Sequence, residues 1–415
     1  MIALSGADLV LPDRVTGAST VLIEGERIVE IRRGPYPAEA GMEHVDLHGR
    51  LLVPGLVDAH LHGVNGHDVQ DGSGAVRAVA ASLPRYGVTA FCPTTVACTP
   101  AALRTVLEAV RAARIAPEPT SARVLPAHVE SNFVNRDFSG AQPVGCLRLP
   151  PPIDESGLAA LRTAPAVPEA EETFSADAIL AEIQRARPDI GTITLAPELA
   201  GAAAFIAALV AVGIRVSLGH SGATFDQGLA AIEAGASRGT HLFNRMPPFG
   251  HREPGLAGAI IRSGEAAAEI ICDGYHVHPA MVATLVAAKG CDRVMAITNG
   301  TAGTGLPVGG RARLGGQAIT VTETAACLEN GILAGSTLTM DRAFRLLAGP
   351  FGLTLVEAAA LCSTTPAREL GLVGHGALVE GGVADLVVLT RGLEPERTYV
   401  GGRLAWANPA IPRAV

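Results

Sequence analysis

Apolar residues along this chain gather into short blocks, and between the blocks they recur at a spacing of three and four. The blocks fall at residues 51–62, 88–92, 123–128, 191–195, 214–218, 239–242, 268–272 and 293–297. Short, nearly continuous apolar runs of this kind read as strands buried on both faces, the habit of parallel sheets. The intervening segments, 176–187 and 226–234 among them, carry the period of amphipathic helices. Eight such alternations predict a (β/α)8 TIM barrel.

The two chain ends have a different texture. Residues 20–23 and 27–31 are β-branched pieces separated by Gly25-Glu26, a hairpin signal, and the C-terminal runs 384–389, 397–400 and 403–406 are punctuated by Gly401-Gly402. Both ends together predict one small β-sandwich, residues 1–52 and 371–415, bracketing a barrel over 53–370. Residues 143–168, rich in Pro and Glu, read as a surface excursion after the third strand. The apolar stretch 199–214 is too short for a confident membrane span and reads as a buried helix.

Composition narrows the function classes. The chain has 415 residues, 48% hydrophobic and 17% charged, enough for a large core and far from disordered composition. A formal net charge of -8 with no Lys/Arg-rich run argues against nucleic-acid or anionic-membrane partners. The first residues lack a basic segment followed by an apolar core, so a cytoplasmic protein is expected. Seven scattered cysteines without a Cys-x-x-Cys pair read as buried thiols.

The chemistry sits at the ends of the blocks. His60 and His62 close the first, and residues i and i+2 of a strand share a face, so they can share one ion. A pair of satisfied surface histidines is the bland alternative. Glu130 follows the third block, Glu198 the fourth, His220 the fifth, His241 the sixth, Asp273 and His276 the seventh and Asn299 the eighth. In a TIM barrel these strand ends converge on one face. Four histidines with Glu130 then make a one- or two-metal site able to turn bound water into a nucleophile.

Beyond these residues, Pro54-Gly55-Leu56-Val57-Asp58-Ala59-His60-Leu61-His62-Gly63 resembles the signature of the amidohydrolase superfamily. Further blocks resemble, within it, the N-acetylglucosamine-6-phosphate deacetylase family. These are Ser217-Leu218-Gly219-His220-Ser221-Gly222, Thr240-His241-Leu242-Phe243-Asn244-Arg245-Met246-Pro247-Pro248, His251-Arg252-Glu253-Pro254-Gly255, Asp273-Gly274-Tyr275-His276 and Ala334-Gly335-Ser336-Thr337. The resemblance implies hydrolysis of the acetamide of an N-acetylated amino sugar, N-acetylglucosamine-6-phosphate first of all, by a divalent metal enzyme using zinc or iron. It implies metal ligation by Glu130, His220 and His241, with His60 and His62 available to a second ion. His276 resembles the histidine at the acetyl carbonyl. Asn244, Leu333, Ala334 and Gly335 resemble sugar-pocket contacts, and Arg252 the arginine that crosses a homodimer interface to the sugar phosphate.

Departures from the family pattern are local. The family's Asp after the eighth strand, its proton shuttle, is Asn299 here, and an amide cannot take a proton at working pH. An impaired chain is expected, through an engineered change or a natural loss of function, with the intact surrounding motifs favouring engineering. Ala141-Gln142 stands where the family has a small residue and His, and Arg245 replaces a small residue. Arg245 is either a ligand contact or a surface ion-pair partner. Glu198 reads as a structural carboxylate and Asp273 as a pocket-shaping group, with a proton-transfer role for Asp273 left open. Two other readings remain: an amidohydrolase acting on another N-acyl or cyclic amide, and a catalytically silent amino-sugar-binding protein.

Overall fold

A computed structural model describes residues 1–37, 41–72, 74–153 and 174–410. Most of the expected 143–168 excursion, from residue 154 onward, lies outside them.

The eight parallel barrel strands are β1 (Leu56–Leu61), β2 (Val88–Thr95), β3 (Ala127–Glu130), β4 (Ile190–Leu195), β5 (Arg215–Leu218), β6 (Arg238–Gly239), β7 (Ala267–Ile271) and β8 (Val294–Ile297). A two-residue piece, Arg123–Val124, pairs beside β2 ahead of β3. The helices that follow the strands in turn are α1 (Ala75–Ser82), α2 (Pro100–Ile115), α3 (Ala176–Arg185), α4 (Ala202–Ala211), α5 (Phe225–Glu233), α6 (Gly255–Arg262), α7 (Pro279–Lys289) and α8 (Met340–Ala348). Their starts are written in the sequence. Thr99 and Ser175 accept from backbone N–H groups at the heads of α2 and α3, and Thr224 with Gln227 forms a reciprocal capping box on α5.

The barrel closes where the chemistry lies. The Asn299 N–H donates to the His60 carbonyl at 3.0 Å and the His62 N–H to the Gly300 carbonyl at 2.8 Å. Below that seam the buried Asp58 carboxylate accepts from the Thr298 hydroxyl at 2.6 Å and from its N–H at 3.2 Å. Burial raises Asp58 to about 7 despite these donors.

The terminal segments form one curled sheet around a separate core that includes Leu4, Leu9, Val21, Ile28, Leu386 and Tyr399. The hairpin Val15–Glu24/Arg27–Arg33 turns at Gly25-Glu26 as expected. Backbone bonds from Ile28 to Gly382 and from Ala384 to Glu26 tie it to the C-terminal segment.

Two segments differ from expectation. The apolar run 51–62 is two strands, not one: Leu51–Pro54 joins the terminal sheet against Leu386–Leu389, and β1 starts beyond Gly55. Gly55 is where the chain crosses, because a Cβ there would meet Thr89 Oγ1 at 2.3 Å. The run 199–214 forms the ten-residue α4, and only one face of it is buried, through Phe205, Ile206 and Leu209; Ala203, Ala204, Ala207 and Val210 are exposed. Among the described residues no helix is long and apolar enough to cross a membrane.

Candidate metal centre and active site

The C-terminal ends of the strands open into a cavity of about 400 Å³. Its floor carries His62, Glu130, His220, His241 and Asn299, and its walls include Ala141, Gln142, Asn244, Arg245, His276, Leu333 and Gly335. Ala334 is buried behind this wall, its N–H held by the Ala326 carbonyl at 2.9 Å. Arg252 is exposed on the loop ahead of α6 and does not line the cavity of its own chain.

Glu130 is the hub. Its Oε1 lies 3.0 Å from His220 Nε2 and 2.9 Å from His241 Nε2, and these two nitrogens are 3.1 Å apart. His220 donates its Nδ1–H to the Phe138 carbonyl at 2.8 Å, which leaves the Nε2 lone pair aimed at Glu130. Lone pairs converging so closely need a cation or a proton among them. Ligands at about 2.0–2.1 Å on a tetrahedral ion stand about 3.3 Å apart, so the set suits a divalent metal. Burial pushes the Glu130 carboxyl up, but the charge and hydrogen bonds of His220 and His241 hold it well below its ordinary value. Its other oxygen accepts from the Gln142 amide, whose own carbonyl oxygen is held by the Ala97 N–H at 2.7 Å.

His60 and His62 extend the cluster, with His60 Nε2 3.8 Å from Glu130 Oε1 and His62 Nε2 3.8 Å from Oε2. Burial depresses both imidazoles, so the neutral, ligand-competent form is favoured. His62 Nδ1 is 3.0 Å from the Thr94 carbonyl and its Nε2 3.0 Å from Asn299 Oδ1. A neutral ring has one N–H for those two acceptors; with that N–H on the Thr94 carbonyl, the Nε2 lone pair faces Asn299 Oδ1, and either a cation between them or a turned amide NH2 satisfies it.

Local backbone strain marks the same positions. His220 (φ 47°), His241 (φ 29°), Arg245 (φ 53°) and Asn299 (φ 49°) are left-handed without being glycine. Such residues cost on the order of 1–3 kcal/mol each and collect where surrounding structure over-determines them. Glu198 is part of that structure: it accepts from Asn135 Nδ2 at 2.8 Å, Ser221 Oγ at 2.7 Å and the Gly222 N–H at 2.6 Å, tying together the loops after β3, β4 and β5. Arg245 runs along the wall over Gly140, where a Cβ would meet its Nε at 2.6 Å, and no carboxylate pairs with it among the described residues.

A second group of ligand-type residues lies beneath the floor. His60 Nδ1 is 3.1 Å from Glu269 Oε2, and His128 Nδ1 is 3.9 Å from Glu269 Oε1. Sequence reasoning passed over both His128 and Glu269. The signal was present: His128 sits two residues before Glu130, on its face of β3, and Glu269 is a lone charge inside the apolar β7.

The likenesses to known proteins agree with this geometry. Residues 51–405 match the Amidohydrolase family. The chain is 34% identical over 370 residues to N-acetylglucosamine-6-phosphate deacetylase of Lysinibacillus sphaericus, covering 88% of each. It is also 34% identical over 357 residues to N-acetylgalactosamine-6-phosphate deacetylase of Escherichia coli O157:H7, covering 86% of this chain and 88% of that one. Among solved structures it resembles an aspartate-to-alanine variant of the Mycobacterium smegmatis N-acetyl-D-glucosamine-6-phosphate deacetylase in complex with N-acetyl-D-glucosamine-6-phosphate. The TM-score is 0.84 and the identity 30%, covering 97% of this chain and 99% of that one. A family match spanning the whole barrel, joined to a Glu/His cluster at the strand ends, makes this chain a hydrolase that belongs to the amidohydrolase family.

Proposed function

We propose that this protein hydrolyses the acetamide of an N-acetylated amino sugar 6-phosphate, N-acetylglucosamine-6-phosphate first, to the free amino sugar phosphate and acetate. The observation that carries the reading is the convergence of Glu130, His220 and His241 within about 3 Å of one another on the floor of a sugar-sized cavity. The chain is 34% identical both to a deacetylase of the gluco sugar and to one of the galacto sugar, so both epimers are candidates.

Glu130, His220 and His241 would hold a divalent zinc or iron ion, with His60 and His62 available to a second. When bound, such an ion activates water and polarises the amide carbonyl. The chain's own groups do the rest. Gln142 fixes the Glu130 carboxylate, Asn244 and the Leu333–Gly335 wall hold the sugar, and His276 faces the acetyl group. Arg252, exposed three residues after Phe249, which is 48% exposed, would reach the phosphate in the neighbouring subunit of a homodimer. A guanidinium fork suits that contact.

Asn299 occupies the position where proton transfer is expected, so the unaltered chain should be slow. Acetate release from both sugar phosphates by the unaltered chain and by Asn299→Asp, each loaded with zinc or iron(II), tests this. The Asp form should be faster by about 100- to 10,000-fold, the ordinary worth of general acid–base catalysis. Tight sugar binding with no turnover in either form would instead favour the silent binding protein, a reading that the two cavity-lining amides Asn299 and Gln142 support. Metal bound but no sugar bound would mean that another amide is the substrate.

A further inference from the structure

Resting on the deacetylase reading, we propose that in this chain His276, backed by Asp273, moves the proton that Asn299 cannot. Hydrolysis needs a group that takes a proton from water and delivers it to the leaving nitrogen. Of the cavity-lining side chains able to exchange protons, His62, Glu130, His220 and His241 turn their ligand atoms into the metal cluster. Asp137 lies exposed at the rim. His276 remains, and it is built for the task.

The loop between β7 and α7 wraps around one carboxylate. Asp273 Oδ1 accepts from the Tyr275 and His276 N–H groups at 2.8 Å each, and Oδ2 accepts from His276 Nδ1–H at 2.6 Å. Gly274, at φ 78°, makes the turn possible. Both side chains of the pair are about 5–6% exposed. Burial pushes the Asp273 carboxyl up, yet the His276 contact and the backbone donors outweigh it, so it stays below its ordinary value and anionic. An anionic acceptor on Nδ1 fixes the tautomer and leaves the Nε2 lone pair for chemistry, the logic of a histidine oriented by a buried aspartate.

The attacking water gives one proton to His276 Nε2 as its oxygen bonds to the acetyl carbon. The C–N bond then breaks with its electron pair staying on nitrogen, and His276 returns the proton there. The products are amine and acetic acid, whose proton passes to the amine to leave ammonium and acetate. One water is consumed, and His276 ends as it began.

A simple carbonyl contact would also make His276 necessary, so the test is its dependence on residue 299. Acetate release is measured for the unaltered chain, His276→Asn, Asn299→Asp and the double variant, all metal-loaded. Calorimetric binding of glucosamine 6-phosphate by each reports an intact pocket. His276→Asn should cost at least about 100-fold in the unaltered chain but only about 10-fold once Asn299→Asp supplies a carboxylate. Equal factors in the two backgrounds would reduce His276 to a carbonyl contact and overturn the proposal. So would an inert unaltered chain beside an active Asn299→Asp form, a result that leaves the deacetylase reading intact. No turnover by any form sinks the deacetylase reading itself. If His276→Asn does not bind the sugar, Asp273→Asn runs the same comparison, with an expected loss of about 10-fold confined to the unaltered background.

Discussion

The two clusters stacked at the mouth of the barrel use the same residue types and differ in almost everything else. Around Glu130, His220 and His241 meet at 2.9–3.1 Å on the cavity floor, both with left-handed backbone. Around Glu269, His60 and His128 stand at 3.1 and 3.9 Å, all fully buried, with His128 and Glu269 inside regular strands and away from the cavity. Burial drives His128 down to about 3 and pushes Glu269 up, so the charged form of each is disfavoured in the lower cluster. Thr194 Oγ1 meets His128 Nε2 at 2.7 Å, while His128 Nδ1 and Glu269 Oε1 have no hydrogen-bond partner. A His/Glu set is therefore not a metal site by composition. Access to the cavity and the closer approach of its ligand atoms set the Glu130 trio apart from the group beneath it.

The largest test of that contrast is metal content. Glu130→Gln should strip the metal and lower acetate release by several orders of magnitude, read by elemental analysis alongside activity. Glu269→Gln should keep the metal stoichiometry and weaken affinity by about 10- to 100-fold through a loosened His60, as supporting partners of ligands do. Equal stripping by the two changes would break the comparison and make the lower cluster a binding site in its own right.

A middle-sized effect is expected from the wall. Gly335 has φ 66°, and a Cβ there would meet the Asn299 carbonyl oxygen at 2.7 Å and Thr301 Cγ2 at 2.6 Å. Gly335→Ala should displace Asn299 from His62, lower the melting temperature by several degrees and weaken sugar binding about 10-fold by calorimetry, with metal content unchanged. Loss of metal instead would couple the wall to the Glu130 trio.

Much of this was legible because function and folding use the same punctuation. His60, His62, Glu130, His220, His241 and Asn299 each end an apolar run, and parallel strands in a closed barrel bring such ends together. Gly25-Glu26 and Gly401-Gly402 likewise announced their turns. What stayed hidden has physical causes. The run 51–62 is continuous in hydropathy, and only the tight approach of Gly55 to Thr89 divides it between two domains. The three-stranded ribbon Arg311–Leu314, Gln317–Val321 and Ala326–Leu328 is made of strands of only three to five residues, too short for their alternation to stand out, yet it supplies Leu314 to the cavity. Glu269 lies inside a strand, where a polar residue breaks a pattern instead of ending one, and His128, which closes the run 123–128, is overshadowed by Glu130 two residues on. Arg252 is exposed and outside the cavity of its own chain, so the described residues carry no mark of the role that the resemblance implies for it.

The smallest effect lies at the far side of the barrel and serves as a control on both clusters. Asp385 accepts from His375 Nδ1 at 2.8 Å, Arg123 Nη2 at 3.2 Å and the Gly401 N–H at 2.7 Å, joining the terminal sheet to the strand piece Arg123–Val124. Burial raises this carboxyl, but the His375 bond and the Arg123 charge prevail and hold it below its ordinary 3.8. A depressed acid binds fewer protons folded than unfolded, so its contribution is complete above about pH 4 and is lost as the pH falls through the folded value. Asp385→Asn should therefore cost about 1–3 kcal/mol in denaturant unfolding at pH 7, with the difference from the unaltered chain closing below pH 4. Metal content and acetate release should not follow that loss, since neither cluster contacts Asp385. A parallel decline in metal would mean that the sheet and the strand-end site are energetically one unit, and that the contrast between the two clusters reflects whole-barrel stability instead of local access.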